Sequence, residues 1–331
     1  MALFQITKGD LMRVLNLFLV GAVGTLVACS NGGGGSGGDN GFEDYKPAEK
    51  PANAISKADL QYYVTVAKTS TKVLPEDAAI YKIVVSGAKA QPVAPDARAE
   101  ALAKLDGNGK AALQSIQTNC TITDAVGSSQ GDQELRVGAQ TLDTAKMSLS
   151  GAQCPLSGMV QEESRTIIKD LKANQSTNTA EIDTEVTQRS YTGRRVDSQE
   201  LRDLSGFAGM ELQVSTSGRV KLSIAQDKMS MEAQLKGKGQ LQINLADGDI
   251  VKGPVNFEAS VADGKMMAQY LFDGTTRRGA LRVVVLVNQY QATYYVNGVQ
   301  MSPEEIDGLV PAVQMQKFQT NVEIAAKNLL N

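Results

Sequence analysis

From Met210 onward the chain alternates apolar and polar residues with a period of two. Met210, Leu212 and Val214 interleave with Glu211, Gln213 and Ser215, and Val220, Leu222 and Ile224 interleave with Arg219, Lys221 and Ser223. Met229, Met231, Ala233 and Leu235 continue the pattern, as do Leu241, Ile243 and Leu245, and then Val255, Phe257, Ala259 and Val261. A period of two gives each strand one apolar and one wet face. The interruptions at Thr216-Ser-Gly218, Lys236-Gly-Lys-Gly239, Ala246-Asp-Gly-Asp249 and Asp263-Gly264 read as turns, so the pattern predicts an antiparallel meander. Weaker strand candidates lie at 135–137, 147–149, 166–168 and 182–186. Segments 281–287 and 290–296 are apolar on both faces, which predicts cover on the second side as well.

Helical spacing brackets this middle. Ser56, followed by Lys57, Ala58 and Asp59, reads as a capped helix start, and Leu60, Tyr63, Val64 and Ala67 then share one face. A second helix is expected from residue 96, pausing at Asp106-Gly-Asn-Gly109 and resuming through Leu113 and Ile116, while 80–85 leans towards a strand through its β-branched residues. Ser302-Pro-Glu-Glu305 forms a capping box with proline at the first helical position, and Met315, Phe318, Val322, Ala325 and Leu329 follow on one stripe. That stripe suits a helix laid on the sheet. A membrane-surface helix needs a basic polar face, and only Lys317 and Lys327 stand there against Glu323. The expected fold is α+β, a single domain over residues 55–331: helical from 55 to 118, mainly strands from 119 to 300, and a helical tail from 302 to 331. Its large antiparallel, curved meander sheet is covered by the N-terminal and C-terminal helices. A meander of eight to twelve such strands has an apolar face larger than those helices fill, so it must curl, close or bind something.

The first 28 residues have a different character. Lys8 and Arg13 precede an apolar run over 14–27 in which Asn16 is the one strongly polar residue, the pattern of a signal peptide. The run falls short of the roughly 20 residues a membrane-spanning helix needs. Translation from Met12 would leave Arg13 as the whole charged region. The run ends in Leu26, Val27, Ala28, Cys29 and Ser30, and here the chain resembles the bacterial lipoproteins, whose lipobox has this Leu-Val-Ala-Cys form. The resemblance covers residues 13–30. It implies cleavage between Ala28 and Cys29, acylation of the Cys29 sulfur and of the new amino terminus, and, with Ser rather than Asp after the cysteine, an outer-membrane destination facing the periplasm. The other reading is a signal peptide cut elsewhere, with Cys29 an incidental thiol. Several acyl chains anchor a protein stably where one does not. Residues 31–41 then hold seven glycines in eleven positions, a flexible coil. With its surroundings, residues 29–54, it makes a tether reaching on the order of 25 Å. A phosphate-binding glycine loop would follow a strand and end in Lys-Ser or Lys-Thr, and this segment does neither.

Three cysteines and no histidine narrow the chemistry. Export places Cys120 and Cys154 in an oxidising compartment, where such a pair closes into a disulfide. A redox-active pair would want a Cys-x-x-Cys spacing or an electropositive helix start. The absence of histidine excludes His-based triads and imidazole-ligated metals, so neither a metal nor another cofactor is expected. Charge is nearly balanced, 33 basic against 36 acidic residues, with no concentrated basic surface for a nucleic acid. Ser86-Gly-Ala-Lys89 and Ser176-Thr-Asn178 match two elements of the acyl-serine penicillin-binding class, but the third, Lys-Thr-Gly or Lys-Ser-Gly, is missing. The segment from Asp106 starts like a calcium loop and then departs from it at Lys110, Ala111 and Gln117. No enzyme is expected.

The expected shape is similar to the half-open barrel of the periplasmic lipoprotein carriers and acceptors, a resemblance of outline without a shared motif, which implies a concave cavity for acyl chains. Met229, Met231, Met266 and Met267 would suit an adaptable lipid pocket, and equally an ordinary core. Two functions follow as expectations. The first is a membrane-anchored envelope module, non-catalytic, engaging an envelope protein partner. The second is a carrier or acceptor of a lipid or acyl ligand. A carboxylate-only hydrolase has no paired motif behind it. The anchor has a direct check: Cys29→Ser is expected to move the protein from the membrane fraction to the soluble one, and unchanged membrane retention would count against lipidation.

Overall fold

A computed structural model describes residues 49–75, 102–103, 105–126, 140–174, 179–225, 228–262, 265–288, 291–302 and 305. The lipobox (Ala28, Cys29), most of the tether, the ambiguous segment 80–85, the strand candidate 135–137 and the tail beyond Glu305 lie outside the described residues.

The described part is α+β, dominated by one open, curved antiparallel sheet. Three helices are described: α1 (Lys57–Val73), α2 (Gly107–Asn119) and α3 (Gln199–Ser205). The strands are β1 (Thr121–Val126), β2 (Gln140–Ser150), β3 (Leu156–Asn174), β4 (Thr179–Val196), β5 (Phe207–Ala225), β6 (Lys228–Leu245), β7 (Ile250–Ala262), β8 (Lys265–Thr276), β9 (Gly279–Asn288), β10 (Gln291–Val296) and β11 (Val299–Met301). Each strand pairs with its neighbours in the sequence, so the eleven strands form a pure meander in chain order.

The helix α1 begins as the sequence indicates, whereas α2 starts within the Asp106-Gly-Asn-Gly109 segment, where the pattern predicts a pause in a longer helix. Ser56 accepts the Asp59 N–H at 3.1 Å ahead of α1, and Asp106 accepts the Gly109 N–H at 2.8 Å ahead of α2, so the Asp-Gly-Asn-Gly segment is a helix start. At the far end of the described chain Ser302 and Glu305 close the capping box reciprocally, Ser302 N to Glu305 Oε2 at 2.8 Å and Glu305 N to Ser302 Oγ at 3.3 Å. The short α3 has no counterpart in the periodicity. Its signals are the Ser198 cap and Gly206, left-handed at φ 69°, which ends it.

Two expected turns do not exist. Thr216-Ser-Gly218 lies inside β5 and Lys236-Gly-Lys-Gly239 inside β6, so these strands run 19 and 18 residues without a break. The glycines there have a packing role. The Phe257 ring lies against the position a Gly237 side chain would take, and the Gln213 carbonyl occupies that of Gly239. Thr216 faces Gly237 and Gly237 faces Phe257 in the register, so the missing side chain makes room for the aromatic ring beside it. True turns occur at Gly248, with φ 80°, and at Asn297-Gly298, with φ 48° and 81°, the pairing of positive angles that a two-residue hairpin between β10 and β11 requires.

Antiparallel register keeps each residue on its face, and one face of the sheet is buried; we call it the inner face. Val214, Val255, Phe257, Phe272, Val283, Val285 and Tyr294 form a core there, capped by Ile55 and Tyr63 from the α1 segment. A second cluster, Ile168, Ile182, Val186, Val220, Leu222, Ala233 and Leu235, lies towards the opposite ends of the strands. A third joins the helices: Val73, Leu74, Ala112, Ile116 and Leu201 pack on Leu149, Leu156 and Val196. Cys120 and Cys154 meet in it, Cα to Cα 4.8 Å, joining the end of α2 to the start of β3 as a disulfide. In β9, Val284 is buried together with Val283 and Val285, so this strand is covered on both faces, as its continuous apolar run indicates.

The close approach of the Phe257 ring to Gly237 has a mutational consequence. Gly237→Ala is expected to cost about 1 to 3 kcal/mol by overpacking against Phe257, read as a lower urea midpoint. Combining it with Phe257→Leu should cost less than the two changes added. Strict additivity of the pair would contradict the contact.

Candidate functional site

Two features concentrate polar side chains: a clasp at the helix end of the sheet and a cleft on its outer face. The clasp begins in the β6–β7 turn. Asp247 accepts the Asp249 N–H at 2.9 Å, which folds the turn, and Asp249, 1% exposed, points back beneath α1. Tyr63 of α1 donates its hydroxyl to Asp249 Oδ2 at 2.6 Å, and Tyr62 donates to Asp247 Oδ2 at 2.8 Å. The β8–β9 turn supplies the cations. Arg277 donates its backbone N–H to Asp249 at 3.1 Å and its guanidinium to Asp247. Arg278 lies 3.9 Å over the Tyr62 ring and reaches Asp59 at 3.2 Å and Asp247 at 3.5 Å. Asp249 also accepts its neighbour's N–H, from Ile250, at 2.8 Å, so this buried carboxylate is well supplied with donors. Three elements distant in sequence are thus tied together, and α1 is fixed across the end of the inner face.

Burial pushes the Asp247 carboxyl up, but the Asp249 N–H, the Tyr62 hydroxyl and the two arginine charges outweigh it and hold the group below 3.8. Burial, and then the hydrogen bond to Asp249, push the Tyr63 phenol from 10.0 to about 12. The Asp247 contribution is therefore complete above the unfolded-chain value and is lost as pH falls through the lower folded value; that of Tyr63 is complete below pH 10 and is lost as pH rises through about 12.

The outer cleft follows from the register. Tyr191, Gln213, Gln240 and Pro254 are successive partners across β4, β5, β6 and β7. The adjoining row is Gly193, Glu211, Gln242, Lys252 and Thr275, which reaches β8. With strands about 4.8 Å apart, five of them give a row roughly 19 Å long. The rows line a cleft of about 370 Å³. Gln242 donates to Asn244 at 3.0 Å, which orients its amide, and Asp273 at the cleft edge is held by Arg282 at 2.8 Å. Tyr191 leans along its strand, its Cζ 3.0 Å from where a Gly193 Cβ would stand, so the absence of that side chain lets the ring lie over the backbone.

The inner face carries one polar seam. Gln188 and Thr216 face each other in the β4–β5 register at 2% and 3% exposure, and Gln188 Oε1 and Thr216 Oγ1 lack hydrogen-bond partners. Apolar residues flank them, Val186 and Val220 on one side and Val214 on the other.

The methionines do not share one face. Met231 is half-buried against the second inner cluster, and Met229 and Met266 are the register partners of Ile224 and Val261. Met267 pairs with Ser260 and Asn288 on the other face. None of the four lines the outer cleft. Among the described residues no group of three or more acids or cysteines is placed to hold a metal ion, and no helix is long and apolar enough to cross a membrane. Sequence reasoning singled out neither the clasp nor the cleft. Tyr63 read as a core position and Asp247 and Asp249 as turn residues, while the cleft residues read only as the wet face of separate strands.

No family model, no curated protein and no solved structure matches this chain.

The thermal midpoint is expected to be level through neutral pH and to fall above about pH 10, where Tyr63, along with Tyr62 and Tyr270, whose phenols burial also pushes up, ionises in the unfolded chain before the folded one. Tyr63→Phe should cost about 1 to 3 kcal/mol by leaving Asp249 short of a donor, and should flatten the alkaline fall. An unchanged alkaline limb in that variant would contradict the role of Tyr63.

Proposed function

We propose that the protein is a non-catalytic binding module of the bacterial cell envelope, held at the outer membrane through acylated Cys29, facing the periplasm, and engaging its partner with the outer face of the sheet. The observation that carries this reading is the division of the two faces. The inner face is packed, with Val285, Tyr294 and Val296 at 1 to 2% exposure under the α1 end, while the cleft lies on the opposite face and is lined by amides and charges together with Tyr191 and Pro254. An open, solvent-facing cleft of mixed lining suits a hydrated partner rather than a hydrocarbon chain. The glycine-rich tether supports the reading by letting the body stand clear of the lipid surface. The absence of histidine and the incomplete catalytic motifs support binding over catalysis.

A second reading, a carrier or acceptor of an acyl ligand, is favoured by the Gln188–Thr216 seam. Two buried polar atoms without partners cost about 1 to 3 kcal/mol each unless something bonds to them, and an acyl ligand with a polar linkage would do so.

Photo-crosslinking on the anchored full-length protein tests the first reading. A crosslinking residue at Gln240 is expected to capture an envelope component that the same residue at Lys221, on the outer face but away from the cleft, does not. Equal capture at both positions, or none at either, would count against it. Native mass spectrometry of the extracted protein tests the second, which fails if no lipid copurifies.

A further inference from the structure

We infer that the outer cleft is a site for an extended, β-linked oligosaccharide, lying across the strands with about one sugar ring per strand. This rests on the reading that the outer face binds, and it names the chemistry recognised there.

The first ground is spacing. The cleft runs perpendicular to the strands, so a ligand lying in it meets a new side chain about every 4.8 Å. An extended peptide advances about 3.3 Å per residue and alternates its side chains, so it falls out of step with such a ladder within two or three strands. The rings of a β-linked glycan succeed one another at close to the strand spacing, each turned over relative to the last, so every strand meets one ring and the amides, which both donate and accept, serve either ring edge.

The second ground is chemistry. Gln213 and Gln240 are exposed and adjacent in one row, and Gln242 stands in the next with its amide oriented by Asn244. An amide presents two donors and an acceptor, which matches the paired hydroxyl and acetamido groups of a sugar. Charge is nearly balanced: Lys252 and Glu211 are register neighbours through Gln242, and Asp273 is already held by Arg282. An anionic ligand would need a surplus of cations, which the cleft does not offer, and the lining sets Tyr191 and Pro254 among the amides and charges, a mixed surface that suits an amphipathic ligand. The third ground is Tyr191, whose ring lies over Gly193 at the head of the amide row, a flat apolar surface beside polar groups. A sugar ring is amphipathic in the same way, with an apolar face of C–H groups and a rim of hydroxyls.

The test is a calorimetric titration of the detergent-solubilised full-length protein with chitotetraose, a β-linked N-acetylglucosamine oligomer. Maltotetraose, α-linked and coiled, serves as the comparison. Saturable binding of chitotetraose is expected, with maltotetraose at least tenfold weaker. Tyr191→Ala and Gln240→Ala should each weaken chitotetraose at least tenfold while Lys221→Gln leaves it unchanged, all with thermal midpoints near that of the parent. If Tyr191→Ala does not fold, Gln240→Ala and Gln213→Ala carry the comparison. Absence of chitotetraose binding, equal affinity for the two sugars, or binding that survives both cleft substitutions would overturn the inference. A protein captured at Gln240 without any chitotetraose binding would assign the cleft to a polypeptide, overturning the glycan while the binding module stands. Failure of both would remove the outer face as a binding surface.

Discussion

Everything in this molecule depends on the conservation of side-chain parity across a long antiparallel meander. In each strand alternate residues face opposite sides, and antiparallel pairing carries that choice to the next strand. Because β3 to β6 each run 18 or 19 residues, one register error would turn a whole apolar row outwards. Of the shifts that occur, the one between Phe207 and Gly209 lies at the start of β5, and the one between Ile168 and Asp170 lies within β3 beside the second cluster, where Ile168 and Leu171 on either side of it both still pack inwards. The same parity that assembles Val214, Val255 and Phe257 on the inner face lines up Tyr191, Gln213 and Gln240 on the outer one. Core and cleft are two readings of one register.

An open sheet still has to close its apolar face, and the helices do this at one end. The clasp shows what that closure costs. Holding α1 across the strand ends buries the Asp249 carboxylate almost completely, which is tolerable only because Tyr63, Ile250 and Arg277 direct hydrogens at it and two guanidinium groups stand nearby. Removing one partner leaves the charge buried with fewer donors. The disulfide makes a second attachment at the same end, between α2 and β3. The second inner cluster lies away from these attachments, and the Gln188–Thr216 seam divides it from the first.

Much of the architecture was legible in the sequence because period-two alternation is local. The strands from Met210 to Val261, the Ser56 and Ser302 caps and the doubly apolar β9 all follow from spacing or from a single capping residue. The two misplaced turns have one source. Gly218, Gly237 and Gly239 read as turns because glycine next to polar residues is the usual turn signal, yet in this sheet they are places where a neighbouring ring or carbonyl needs the room. Distinguishing the two requires knowing what lies across the strand, which no local window contains. The sites were harder still. The clasp joins residues 59 to 63 to residues 247 to 249 and 277 to 278, and the cleft takes one to three residues from each of five strands. Nothing in the separate segments announces either of them; pairing register makes them.

The most direct test of the division into a packed inner face and a binding outer face is a crystal structure of the protein grown with chitotetraose. Density is expected along the row from Tyr191 to Pro254, with a ring stacked on Tyr191 and successive rings advancing one strand at a time. Sugar density elsewhere with the outer row bare, or a ligand lodged against Gln188 and Thr216 on the inner face, would contradict it.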